Sequence, residues 1–321
     1  MKYNWKISRN NSSEKRNYIV KYDDGINFGL AEAAPNIRYG ETPELIEQQF
    51  NIFKKYYSEY KHHGLNSILK ELPLANALKF AIEAAYVHAQ AKASKKKIHE
   101  YLGLRPPAEP NTSYSVPIMQ PDNIAAFIKQ HQLNRFAFLK IKIDAENAND
   151  ILNEVSRRYR GYVRIDANEA WNDPDQVLKF MYAHKHKKIQ FFEQPMPSEK
   201  IDEYIYLKKN SIFEIIADES ITADSNIELL AKQFHGVNIK LMKCGGYYSA
   251  IKQIQTSINH GIKVMLGCMI ETTLGIFSAY NLSYGINYID LDGFFIIENE
   301  PFNIIFEKQG KLYCNDSNFY I

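Results

Sequence analysis

The chain has 321 residues, 45% of them hydrophobic and 24% charged, with a formal net charge of +2. That balance gives no support to a nucleic-acid or membrane-surface protein, and no apolar run approaches the roughly 18 residues that a membrane helix needs. Three cysteines, Cys244, Cys268 and Cys314, with no CxxC spacing, argue against a disulfide framework and a thiolate zinc site.

The first residues, MKYNWKISRNN, are polar and lack the apolar centre of a signal peptide, so a reduced, cytoplasmic protein is expected. Residues 1–33 read as a hairpin region. "YIVKYDDG" (18–25) has strand composition and closes on an Asp-Gly turn, with "NFGLAEAAP" (27–35) as its partner. A helix is predicted over 42–60, capped by Thr42 with Pro43 in the first turn, and a long alanine-rich helix over 74–94.

From residue 113 the pattern changes to apolar strands alternating with amphipathic helices at intervals of roughly 25 residues. The predicted strands are 113–118, 136–143, 162–167, 189–195, 213–219, 236–242, 263–268 and 288–293. Eight parallel strands with seven intervening helical segments predict an α/β fold, a modified (β/α)8 barrel. A doubly wound open sheet is the alternative, without a glycine-rich phosphate fingerprint to favour it.

A barrel places function at the C-terminal ends of its strands. Those ends carry Lys140 and Lys142, Asp166 and Asn168, Glu193, Asp218 and Glu219, Lys243, Glu271, and Asp290 with Asp292. A lone acid at a strand end is ordinarily a helix cap or a solvated loop residue. The set is different, because a barrel gathers all the ends at one mouth. Asp166, Glu193 and Asp218 fall one βα unit apart, on three neighbouring strands. Three carboxylates that close cannot all ionise unaided, and a hard divalent cation, Mg2+, resolves the conflict. Lys142 and Lys243 lie on opposite sides of the mouth, as two bases flanking one carbon would. Lys140 adds positive charge that should depress the pKa of its neighbour.

The motifs "KIK" (140–142), "DAN" (166–168), "EQP" (193–195), "ADES" (217–220), "KLMKCGG" (240–246) and "GCMIET" (267–272) resemble the enolase superfamily, in its muconate-lactonizing-enzyme subgroup. The resemblance covers nearly the whole chain. It implies an α+β capping domain over 1–110, a barrel over 111–295 and a C-terminal segment, 296–321, returning to the capping domain. It further implies that Asp166, Glu193 and Asp218 ligate Mg2+ and that Lys142 and Lys243 exchange a proton at the carbon next to a carboxylate. Lys140 and Glu219 are then supporting charges, and Asn168 stands behind the ligands.

"DLDG" (290–293) resembles the Asp-x-Asp signature of dipeptide epimerases, of which the L-Ala-D/L-Glu type is one. Two carboxylates on one strand face make a receptor for an ammonium group, here a dipeptide's N-terminus; the bland reading is an Asp capping the next turn. By the same resemblance Arg9, in "KISR", meets a distal carboxylate; otherwise it is an exposed loop residue. Glu271 and Glu298 are counted among the substrate-facing residues, Glu298 with Glu300 either favouring a cationic side chain or covering the barrel's end. The expected partner is thus a small dipeptide, with neither nucleic acid nor membrane; a homo-oligomer is compatible with the sequence. Muconate cycloisomerase, o-succinylbenzoate synthase and N-acylamino acid racemase are rival readings, none needing an ammonium receptor. A catalytically silent small-acid-binding barrel is a third.

Overall fold

The computed structural model describes residues 1–3, 5–7 and 10–315. Eight parallel strands form one sheet in strict chain order: β1 (Ser113–Val116), β2 (Phe138–Lys142), β3 (Tyr162–Asp166), β4 (Ile189–Glu193), β5 (Glu214–Ala217), β6 (Gly236–Ile239), β7 (Lys263–Gly267) and β8 (Tyr288–Asp290). Helices cross back between successive strands, as parallel pairing requires. Backbone pairing runs from β1 through to β8. Side chains bridge the remaining seam: Ser113 Oγ donates to Asp290 Oδ1, the Ser115 N–H to Asp292 Oδ2 (2.5 Å) and the Leu291 N–H to Thr112 Oγ1 (2.8 Å). The result is a (β/α)8 barrel.

Strand alternation separates two interiors. On β2, Leu139 and Ile141 join the main core with Ile165, Phe192 and Val237. Lys140 and Lys142 occupy the other face. Inside the barrel, Phe191, Ile216, Met265 and Tyr288 form a distinct apolar floor. A bulge in β4 sets the inward parity there. Val163 faces Ile189 but Arg164 faces Phe191, so Gln190 is the extra residue and Glu193 comes to lie opposite Asp166.

The capping region packs on the C-terminal end of the barrel. Its hairpin pairs Tyr18–Asp23 with Phe28–Ala33, and Asp24 Oδ1 closes the turn by accepting the Ile26 and Asn27 N–H groups. The helix Pro43–Tyr60 starts as predicted, Thr42 Oγ1 accepting the Leu45 N–H at 3.2 Å. The helix Asn76–Ala93 is buried along most of its length, and its alanines allow close approach. At Gly29 a Cβ would lie 2.2 Å from the Ala85 carbonyl oxygen, so no side chain fits between hairpin and helix.

The strands are shorter than predicted: β2, β3, β4 and β8 end on Lys142, Asp166, Glu193 and Asp290, and β5 and β6 end one residue before Asp218 and Lys240. The described part of 296–321 touches both regions, its Ile296 carbonyl accepting the Lys2 N–H at 2.8 Å. Its hairpin (Ile305–Lys308 with Lys311–Cys314) bonds to 110–112 and holds Arg135 through Glu307 at 2.9 Å. The opposite charges and the buried Ile305 and Leu312 find their partners there.

Candidate active site

Strand register builds the site. Lys142 pairs with Asp166, and Asp166 with Glu193, on adjacent rungs. Asp218 follows the end of β5 directly. The three carboxylates are therefore neighbours at one level, and all are almost wholly buried. Right after them the backbone turns left-handed at Asn168 (φ 43°), Glu169 (φ 66°) and Gln194 (φ 38°), a strained conformation for residues with a side chain. Gln194 repays it with order: its Oε1 accepts the Asp218 and Ser220 N–H groups at 2.9 and 3.1 Å.

Four lysines thread these acids. Lys140 Nζ touches a carboxylate from each of three strands: Asp166 at 3.0 Å, Glu193 at 2.8 Å and Asp290 at 2.9 Å. Lys142 Nζ reaches Asp166 Oδ2 at 2.8 Å and Asn168 Oδ1 at 3.1 Å. Lys243 Nζ reaches Asp218 Oδ1 at 2.6 Å, and Lys240 Nζ the other oxygen of Asp218 at 2.7 Å. β2 and β6 are four strands apart in a ring of eight, so Lys142 and Lys243 stand on opposite sides. Lys243 is not on the sixth strand, as the sequence suggests; it sits in a single helical turn, Leu241–Cys244, just beyond.

Burial and charge set the protonation states. Burial works against the Asp166 carboxylate, but Lys140 and Lys142 overcome it and hold its pKa at about 2. Glu193 goes the other way: burial, with Asp166 and Asp218 nearby, lifts it to about 8. Burial also opposes the Lys140 ammonium, yet the surrounding acids hold its pKa well above the lysine range. Lys243 is pulled below that range, first by burial, with Lys240 adding to the effect against Asp218. Lys240 is thus a cation beside Lys243.

The remaining candidates divide. Asp290 lies deep, engaged by Lys140 and Ser113, with the Arg164 guanidinium helping to hold it ionised. Asp292 is nearer the mouth, where burial and the charge of Asp290 lift it to about 7. Asn168 Nδ2 donates to Glu219 Oε1 at 3.3 Å, beside the acid group. Glu271 is buried at the interface with the capping region, accepting the Met269 N–H, and burial beside Glu32 raises it to about 8. Glu298 is exposed. Glu300 turns away, bonding Thr273 at the start of the helix Thr273–Tyr280. Arg9 lies outside the described residues.

Sequence reasoning passed over several groups. Lys240 was visible within "KLMKCGG", but only folding shows it bound to Asp218. Asn238 donates to Glu193 Oε1 at 2.9 Å from inside β6. Arg164 is buried beneath the acids among Phe138, Phe191 and Tyr288, donating to Gln190, Ser113 and the Ile289 carbonyl. Period-2 alternation places it inside, as it does Lys140; its role as a floor is a matter of packing. From the capping region Trp5 lies over Lys142, ring centroid to Nζ 5.9 Å, and Arg38 grips Glu169 at 2.8 Å.

The described residues present no ready-made group of three acidic, histidine or cysteine side chains closed on one point, because ammonium groups stand between the acids. The donor chemistry nevertheless fits a hard cation. Asp166, Glu193 and Asp218 are buried oxygen donors at the ends of successive strands, the donor type that a hard cation takes.

Comparison with known proteins follows the same lines. Residues 123–299 match the family described as Enolase C-terminal domain-like. The L-Ala-D/L-Glu epimerase of Bacteroides thetaiotaomicron is 30% identical over 303 residues, 92% of this chain and 78% of that protein. The L-Ala-D/L-amino acid epimerase of Pedosphaera parvula is 33% identical over 88% of this chain and 83% of its own. The crystal structure of the Enterococcus faecalis dipeptide epimerase, complexed with Mg and L-Leu-L-Tyr, superposes with a TM-score of 0.85 at 27% identity, covering 95% of this chain and 89% of that one.

Proposed function

The chain belongs to the Enolase C-terminal domain-like family of the enolase superfamily, and we propose that it is a Mg2+-dependent dipeptide epimerase. The reaction inverts the α-carbon of the C-terminal residue of a dipeptide of the L-Ala-D/L-Glu type. The observation that carries this reading is the pair Lys142 and Lys243. They are buried amines on opposite sides of the mouth, each docked on a different acid of one carboxylate group.

Asp166, Glu193 and Asp218 would hold the Mg2+, which when bound would supply charge stabilisation at the substrate carboxylate. One lysine removes the α-proton from its face of the carbon. The other delivers a proton to the opposite face, and the roles exchange for the other epimer. Burial, with Lys240 alongside, favours the neutral, proton-accepting form of Lys243. Asn168 and Asp166 hold the Lys142 ammonium in place. At the other end Asp292, its charge disfavoured by Asp290, gains from a substrate ammonium. Trp5, above Lys142, helps to exclude water. The names of the Bacteroides and Pedosphaera relatives, and the ligands of the Enterococcus structure, support this assignment.

The test is incubation with a dipeptide library in D2O. The reading expects one solvent deuterium at the α-carbon of the second residue, together with the other epimer. An elimination product, or no deuterium in any dipeptide, overturns it.

A further inference from the structure

One capping-domain helix faces the turn that carries Lys243. Three residues after the lysine comes Gly246, which begins the helix Tyr247–Asn259. The Glu83 carboxylate, from the helix Asn76–Ala93, plugs that start. Its Oε1 accepts the Tyr248 N–H at 3.3 Å, and a Cβ on Gly246 would lie 2.3 Å from its Oε2. The same helix makes three further contacts with the turn. Asn76 Oδ1 would stand 3.1 Å from a Cβ on Gly245. The Phe80 ring meets the Tyr247 ring edge-on, centroids 6.0 Å apart. His88 Nε2 pairs with the Tyr247 hydroxyl at 2.8 Å, while its Nδ1 is held by the Leu30 carbonyl of the capping hairpin. Residues 76, 80 and 83 share one helical face.

Glu83 touches neither the acid group nor Lys243. What it holds is the start of the helix Tyr247–Asn259, which Gly245 and Gly246, with no side chains of their own to fix them, join to the turn that carries Lys243. Lys142 instead ends β2, a strand paired with β1 on one side and β3 on the other. We propose that Glu83 is a positioning residue for Lys243: through the Gly245–Gly246 turn it sets one of the two bases and leaves the other alone. This rests on the two-base reading given above.

The experiment is solvent deuterium exchange measured separately from each epimer of one substrate dipeptide. Lys243→Ala and Lys142→Ala identify which epimer each lysine serves. Glu83→Ala is expected to slow exchange of the Lys243 epimer by about tenfold or more, as misplacement by a fraction of an ångström does. Exchange of the Lys142 epimer should stay within about threefold, a margin small beside that loss. Glu83→Gln, which keeps a carbonyl acceptor, should restore most of the difference. Glu83→Asp withdraws the carboxylate by one methylene and should show the same asymmetry in smaller measure; it carries the test if the alanine variant does not fold. Equal slowing of both epimers, or of neither, overturns the inference while the two-base reading stands. Wild-type protein that exchanges neither epimer overturns that reading and this inference with it.

Discussion

Lys140 and Asp290 form a buried ion pair at the centre of the barrel, Nζ to Oδ2 2.9 Å, although the sequence suggests that Lys140 tunes Lys142 and that Asp290 receives the substrate's ammonium group. The pair continues downward through Ser113 to Arg164 and upward to Asp166 and Glu193. It closes the charge balance of the interior. The two acids of the "DLDG" motif therefore do different work.

Asp290→Asn leaves Lys140 and Arg164 short of a counter-charge. Breaking one side of a buried ion pair typically destabilises by about 3–5 kcal/mol. The variant should melt at lower temperature and lose activity on free and N-acylated dipeptides alike. Asp292→Asn should keep its fold and raise KM for free dipeptides roughly 10- to 100-fold, the effect of losing a charge-assisted contact, with N-acylated analogues unaffected. Identical substrate profiles for the two variants would contradict this division.

The two lysines should separate cleanly. Lys142→Ala and Lys243→Ala are each expected to abolish interconversion of epimers. Each should spare α-proton exchange for the one epimer whose proton faces the lysine left intact. NMR in D2O reads both quantities together. Interconversion at a near-normal rate in either variant would mean that the lysines merely clamp the carboxylate.

Metal removal gives a third check. Chelator should abolish activity and Mg2+ restore it. Because the acids accept the ion only when folded, saturating Mg2+ should also raise the melting temperature; at 100 times Kd the stabilisation is about 2.7 kcal/mol. Glu193→Gln, which removes one buried oxygen charge, should abolish most of that shift. A full Mg2+ shift in this variant would take Glu193 out of the ligand set.

Glu83 predicts a pH effect on stability. Burial raises its pKa to about 7, opposed only by the N–H groups of Tyr247 and Tyr248. A carboxyl with a raised folded pKa binds its proton more tightly in the native state. Its contribution is full below the unfolded value of about 4.5 and is lost as pH rises through about 7, on the order of 3 kcal/mol in all. His88, on the same helix, acts in the opposite sense: burial lowers it to about 4, so its stabilisation is lost as pH falls. Denaturation of wild type against Glu83→Gln cancels the histidine. The variant should gain on the wild type between pH 4.5 and 7, and a constant difference would show that Glu83 does not titrate there.

Most of the barrel was legible in the sequence, because its signals are local. Strand composition, the roughly 25-residue spacing and the polar strand ends placed Asp166, Glu193 and Asp218 on successive strands, and alternation placed Lys140 and Lys142 on one face. These follow from backbone periodicity, which every stretch of chain carries within itself. Other features depend on residues far apart meeting. The assignment of Asp290 to Lys140, 150 positions earlier, required closure of the β8–β1 seam. The contact of Glu83 with Tyr248, 165 positions later, required the capping helix to dock. Lys240 and Lys243 differ by three residues, and only the helical turn after β6 delivers both to Asp218. The sequence by itself determined which residues could reach the mouth. The tertiary structure decided which of them neutralise one another, because buried charges are settled by the nearest partner in space, whatever its distance along the chain.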